Sequence, residues 1–105
     1  MIIIPAIPVG TYFMGRKIKA FDSNAISCLF ISKKRFRGKS FIVGVTFADD
    51  SNSHHIISGF DTEEEAQKEV DNILMAIETE KQVYRCVGSF DIANRAAHKE
   101  EDEHE

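Results

Sequence analysis

The sequence predicts an α+β fold, a small antiparallel sheet in a meander of four to five strands, covered by one long amphipathic helix, with a short C-terminal helix or tail. Three observations carry this. Residues 40–47, SFIVGVTF, put Phe41, Val43, Val45 and Phe47 on one face and Ile42, Gly44 and Thr46 on the other, the period of two of a half-buried strand. Residues 61–81, DTEEEAQKEVDNILMAIETEK, place Ala66, Val70, Ile73, Leu74 and Ile77 on one helical stripe. The runs before the helix are joined by connections too short for parallel crossovers.

In chain order, the first fifteen residues, MIIIPAIPVGTYFMG, lack charged side chains but are broken by Pro5, Pro8 and Gly10. They have neither the basic start of a signal peptide nor the length to span a bilayer. They read either as an edge strand, with prolines where no ladder donor is needed, or as a contact between copies. RKIKAF (16–21) alternates, and so does AISCLFIS (25–32), with Ile26, Cys28 and Phe30 on one face and Leu29 and Ile31 on the other. SKKRFRGKS (32–40) lies between two strand runs and reads as a hairpin loop in which Gly38 supplies the turn. ADDSNS is a second cluster of turn formers, followed by the short strand HHIISGF. Asp61 or Thr62 caps the helix, each with a glutamate three residues on, and Glu63, Glu64 and Glu65 suit the positive end of its dipole. KQVYRCVGSF closes as a strand that either returns to the sheet or leaves it for a neighbour. Residues 1–96 form a single domain, and 97–105 read as a charged mobile tail.

The chain has 105 residues, enough for one domain with a modest core, and carries a net charge of −4. That charge is unevenly spread. Residues 1–48 hold eight basic side chains against one acidic, a net +7, and residues 49–105 hold five against sixteen, a net −11. Such a two-faced charge favours association between copies, giving a homo-oligomer, or recognition of an anionic partner. Cys28 and Cys86 each sit in an apolar run and read as reduced core or half-core thiols of a cytoplasmic protein.

Chemistry-bearing patterns are few. His54 and His55 are adjacent on a strand and point to opposite faces, so they do not share a metal ion, and no HExxH or CxxC spacing is present. No serine occupies a GxSxG elbow, no Gly-rich phosphate loop follows a strand, and the glutamates at the helix start are explained by capping. These readings imply no enzyme, no cofactor and no metal site. The basic run is left. Lys33, Lys34, Arg35, Arg37 and Lys39 surround Phe36, which reads either as a solvated, solubilising tip or as an anion contact in which arginines grip phosphate and Phe36 stacks on a base. The candidate ligand-binding set is Lys34, Arg35, Phe36 and Arg37, joined by Arg85, Phe90, Asn94 and Arg95, which are of the type that grips a nucleotide. The net −11 of the second half argues against nucleic acid as the main partner.

Residues 54–86, HHIISGFDTEEEAQKEVDNILMAIETEKQVYRC, contain a strand ending in a glycine–aromatic step, a TEEEA helix and a short VY strand. This unit resembles one found in small bacteriophage and Firmicute accessory proteins. The resemblance implies a compact binder rather than a catalyst, phage-encoded and acting in the host cytoplasm. The expected function is binding of an anionic small ligand such as a signalling nucleotide. The alternative is a protein–protein interaction module that binds and modulates a host protein.

Overall fold

The computed structural model describes residues 1–6, 12–13, 16–17 and 20–90, with the backbone alone at 12–13, 16–17 and Ser51. The fold is α+β. β5 (Ile26–Ser32), β6 (Phe41–Phe47) and β7 (Asp50–Phe60) form a three-stranded antiparallel meander in the order β5-β6-β7. Helix α1 (Glu63–Glu78) packs across all three strands. A second small sheet has β1 (Ile2–Ile4) at its centre, antiparallel to β4 (Phe21–Asp22) and parallel to β8 (Val83–Arg85). A short pair, β2 (Tyr12–Phe13) and β3 (Arg16–Lys17), completes the described strands.

The expected alternation of β6 is realised. Val43, Val45 and Phe47 are buried towards the helix with Ile57, Phe60, Ala66 and Ile73, while Ile42 packs on the opposite face with Phe30, Phe36, Ile56 and Phe90. The expectation for β5 needs correction. Its register with β6 shifts between Ile26 and Cys28, so a bulge at Ser27 turns Ile26 onto the helix face beside Leu29 and Ile31. Cys28, still on the face of Phe30, is exposed rather than part of the core. The second turn is shorter than the cluster ADDSNS suggests, because β7 already begins at Asp50 and exceeds the expected short strand. The meander itself has three strands rather than four or five, since the remaining described strands build the second sheet and the separate β2–β3 pair. Nor is the N-terminal run an edge: β1 is hydrogen-bonded on both sides, and Ile3 is buried while Ile2 is exposed.

The helix begins and ends as its sequence demands, with one exception. Thr62 is the N-cap, its side chain accepting from the Glu65 amide at 3.2 Å, and Glu63 to Glu65 fill the first turn. At the other end Lys81 N–H donates to Ala76 C=O at 3.0 Å and Glu80 N–H to Ile77 C=O at 3.1 Å, the paired bonds of a Schellman motif. The residue that must turn left-handed there is Glu80, φ 57°, where glycine would be at ease. The buried face is also rotated from the expected stripe. Ala66, Glu69, Ile73 and Ala76 are buried, whereas Leu74 and Ile77 are largely exposed.

Glu69 explains that rotation. Only 1% exposed, its carboxylate accepts four hydrogen bonds: from Ser58 Oγ (2.7 Å), Val87 N–H (2.8 Å), Gly88 N–H (3.3 Å) and the Tyr84 hydroxyl. One helix side chain thereby fastens β7, β8 and the segment after β8. Burying a carboxylate is tolerable only with such a set of donors. Glu69→Ala removes the acceptor of all four and is expected to destabilise the fold by about 3–5 kcal/mol, whereas Tyr84→Phe removes one bond and costs about 1–2 kcal/mol, read from urea midpoints. Glu80→Gly relieves the left-handed position and removes an anion from the negative end of the helix, so it is expected to stabilise by about 0.5–1 kcal/mol in the same assay.

Candidate functional site

The basic run folds as a two-residue hairpin turn. Phe36 and Lys39 exchange backbone bonds, Phe36 N–H to Lys39 C=O at 2.9 Å and Lys39 N–H to Phe36 C=O at 3.0 Å. Between them Arg37 (φ 46°) and Gly38 (φ 85°) are both left-handed, the geometry of a type I′ turn whose twist matches its strands. Asparagine–glycine suits that turn best, and an arginine in the left-handed region carries a penalty of about 1–2 kcal/mol. Lys33, Lys34 and Arg35 are exposed along the extended segment leading in. Ser40 N–H donates to Phe60 C=O at 3.2 Å, which ties the outgoing side to the end of β7.

Phe36 anchors this turn. Its ring lies 5.6 Å from that of Phe90 at 86°, with the Arg37 guanidinium 5.4 Å from the ring centroid. Both aromatic residues belong to the cluster on the helix-free face of the meander. Phe90 fits there because Gly59 has no side chain: a Cβ at Gly59 would lie 2.5 Å from the Phe90 ring. Lys39 is drawn away from the tip by Asp61, Nζ to Oδ1 at 3.7 Å.

Of the candidate set, the structure brings together Phe36, Arg37 and Phe90, with Lys34 and Arg35 on the same hairpin. Phe36 is half-buried and already engaged, which leaves its ring little freedom to stack on a base. Arg85 is exposed on β8, opposite Ile4 in the other sheet. Asn94 and Arg95, like the expected C-terminal helix or tail, lie outside the described residues. His54 and His55 do point to opposite faces, the first exposed near Phe30 (ring centroids 5.1 Å) and the second buried near Phe47 (5.0 Å). Among the described residues no group of three or more His, Cys, Asp or Glu side chains is placed to hold a metal, and no helix is long and apolar enough to cross a membrane.

Ser58, Glu69 and Tyr84 form the polar cluster that sequence reasoning missed. The three lie far apart in the chain, and the only local sign is a glutamate set between Ala66 and Val70 on the apolar side of the helix. Their mutual bonds, with Gly88 N–H also reaching Ser58 Oγ at 3.1 Å, tie them into one clasp. Gly88 is required for it, since a Cβ there would lie 2.2 Å from Ser58 Oγ. Burial pushes the Tyr84 hydroxyl and the Cys86 thiol well above their ordinary values of 10.0 and 9.0, and the nearby Glu69 carboxylate adds to both.

Cys28 and Cys86 are both free thiols. At about pH 8 Cys28 is expected to react rapidly with an aromatic disulfide reagent and Cys86 only on unfolding, giving two phases of one thiol each. The raised values also fix a sign for alkaline stability. The unfolded chain releases these protons at lower pH than the folded one, so the stabilisation is complete below the ordinary values and is lost as pH rises above them. Thermal melting is expected to fall through about pH 9–11, and Cys86→Ala is expected to blunt the first part of that fall.

No protein-family model matches the chain, and no curated protein or solved structure is significantly similar to it.

Proposed function

We propose that this chain is a non-enzymatic binding module that recognises an acidic protein surface through its basic hairpin, a reading in keeping with the compact binders that its strand–helix–strand unit resembles. The turn at Arg37–Gly38 carries the reading. A left-handed arginine is retained where asparagine or glycine would sit without strain, and strain kept at a turn points to a role for the side chain or the shape it imposes. Lys33, Lys34 and Arg35 are exposed beside the turn, and the aromatic ring that would clamp a base is packed against Phe90. A run of exposed cations without a free ring suits an extended anionic surface better than one small ligand. The Ser58–Glu69–Tyr84 cluster, which holds nucleophile and acid–base types, is taken up by the clasp.

Exposed ion pairs contribute about 0–1 kcal/mol each, so binding must come from several acting together and must weaken with salt. The test combines Lys33→Ala, Lys34→Ala and Arg35→Ala. Fluorescence anisotropy with a labelled poly-glutamate peptide is expected to show binding by the parent at low salt and a loss of about tenfold or more in the triple variant. Melting is expected to be unchanged, because these side chains are at the surface. A nucleotide panel that raises the melting temperature while the peptide fails to bind would replace this reading with a small anionic ligand. Equal peptide binding by parent and variant would leave the hairpin as a solubilising tip.

A further inference from the structure

We infer that two copies of this chain join through β5, which pairs antiparallel with β5 of the second copy about a two-fold axis, so that the two meanders form one continuous sheet. This joint stands apart from the hairpin reading and does not depend on it. The first support is the contrast between the two edges of the meander. Along β7 the chain covers its own edge: Ile57 C=O accepts from Ala6 N–H at 2.8 Å and Gly59 C=O from Ser89 N–H at 3.1 Å. Along β5, among the described residues, the only strand partner is β6. Open edges are normally blunted by a charge, a proline or a bulge. ISCLFIS (26–32) holds no charge and no proline, and its one bulge precedes Cys28. Residues 28–32 therefore keep a regular register with β6, from Cys28 opposite Thr46 to Ser32 opposite Ile42. Cys28 is exposed, and Leu29, Phe30 and Ile31 are only half-buried.

What fits this edge is the same edge. Centred on Phe30, the two-fold pairing sets Phe30 against its counterpart, Leu29 against Ile31 and Cys28 against Ser32. An axis normal to the sheet keeps each face on its own side, so Leu29 and Ile31 extend the apolar helix face and Phe30 extends the aromatic one. Both helices then lie on the same side of the joined sheet. Glu69 holds one flank of α1 to β7 and β8, while Leu74 and Ile77, 53% and 40% exposed, project from the other flank, on the side of β5. The joint turns these two side chains towards the second copy. Charge agrees with the antiparallel sense. Lys33 and Lys34 follow β5 directly, and antiparallel strands send the two lysine runs to opposite ends, whereas parallel pairing would set them side by side.

The experiment measures mass by size-exclusion chromatography with light scattering, at tens of micromolar protein, for the full chain and two variants of it. Cys28→Lys with Ser32→Lys sets lysine opposite lysine at both ends of the joint, whereas Cys28→Lys with Ser32→Glu sets lysine opposite glutamate. The parent and the lysine–glutamate variant are expected at twice the 11.9 kDa of the chain. The lysine–lysine variant is expected to shift towards the single-chain mass, its dissociation constant raised about tenfold or more. Amide exchange at residues 28–32 of the unaltered chain, which needs no variant, is expected to slow as concentration rises. A parent of single-chain mass whose exchange is indifferent to concentration overturns the inference. So does a dimer that survives the lysine–lysine change, or one lost equally in both variants.

Discussion

A single buried carboxylate organises this fold. Glu69 projects from the helix into the space between the meander and the second sheet, where apolar packing alone would not specify which backbone lies next to which. Its acceptor sites do specify it. Ser58 aligns the helix on β7, Tyr84 aligns β8, and the amides of Val87 and Gly88 fix the path after β8. From Gly88 the chain is held close against β7, Ser89 N–H bonding Gly59 C=O at 3.1 Å, and it delivers Phe90 to the far face of the meander. Phe90 in turn holds Phe36, so an interaction in the core reaches the basic turn through a short line of contacts. Hydrogen bonds to a charged group are stronger than neutral ones and expensive to leave unmade, which is why one residue can impose so much order.

The meander shows how a thin sheet is covered on both sides. One face carries the helix. On the other, aromatic rings lie across glycines: Phe30 over Gly44, where a Cβ would come within 2.6 Å, and Phe90 over Gly59. Ring and glycine act as a matched pair, each ring filling the pleat that the absent side chain leaves open. The hairpin is attached to this second, aromatic face.

Local order was legible from the sequence and long-range order was not. Alternation in 40–47, the Thr62 cap and the turn at Gly38 depend on neighbours a few residues away, and each appears where its pattern places it. The helix stripe was displaced because amphipathic reasoning assigns a glutamate to water, whereas Glu69 is kept inside by donors from three distant segments. Ile26 changed faces because a bulge adds one residue to the strand without leaving a mark in its composition. Of the candidate site, the turn and its charges were readable. The pairing of Phe36 with Phe90 depended on the route set by Gly88, which only the folded chain reveals.

The parallel pairing of β1 with β8 has a consequence for synthesis. On the parallel side of β1, Ile2, Ile3 and Ile4 pair with Val83, Tyr84 and Arg85, near the opposite end of the described chain. A nascent polypeptide emerging from the ribosome can complete the meander and seat the helix while its isoleucine-rich start still lacks one flanking strand. Closing so wide a loop is slow relative to forming hairpins and helices, because its entropy is spent before any contact repays it. During that interval the N-terminal strand is a sticky end, and the late arrival of three residues is what retires it.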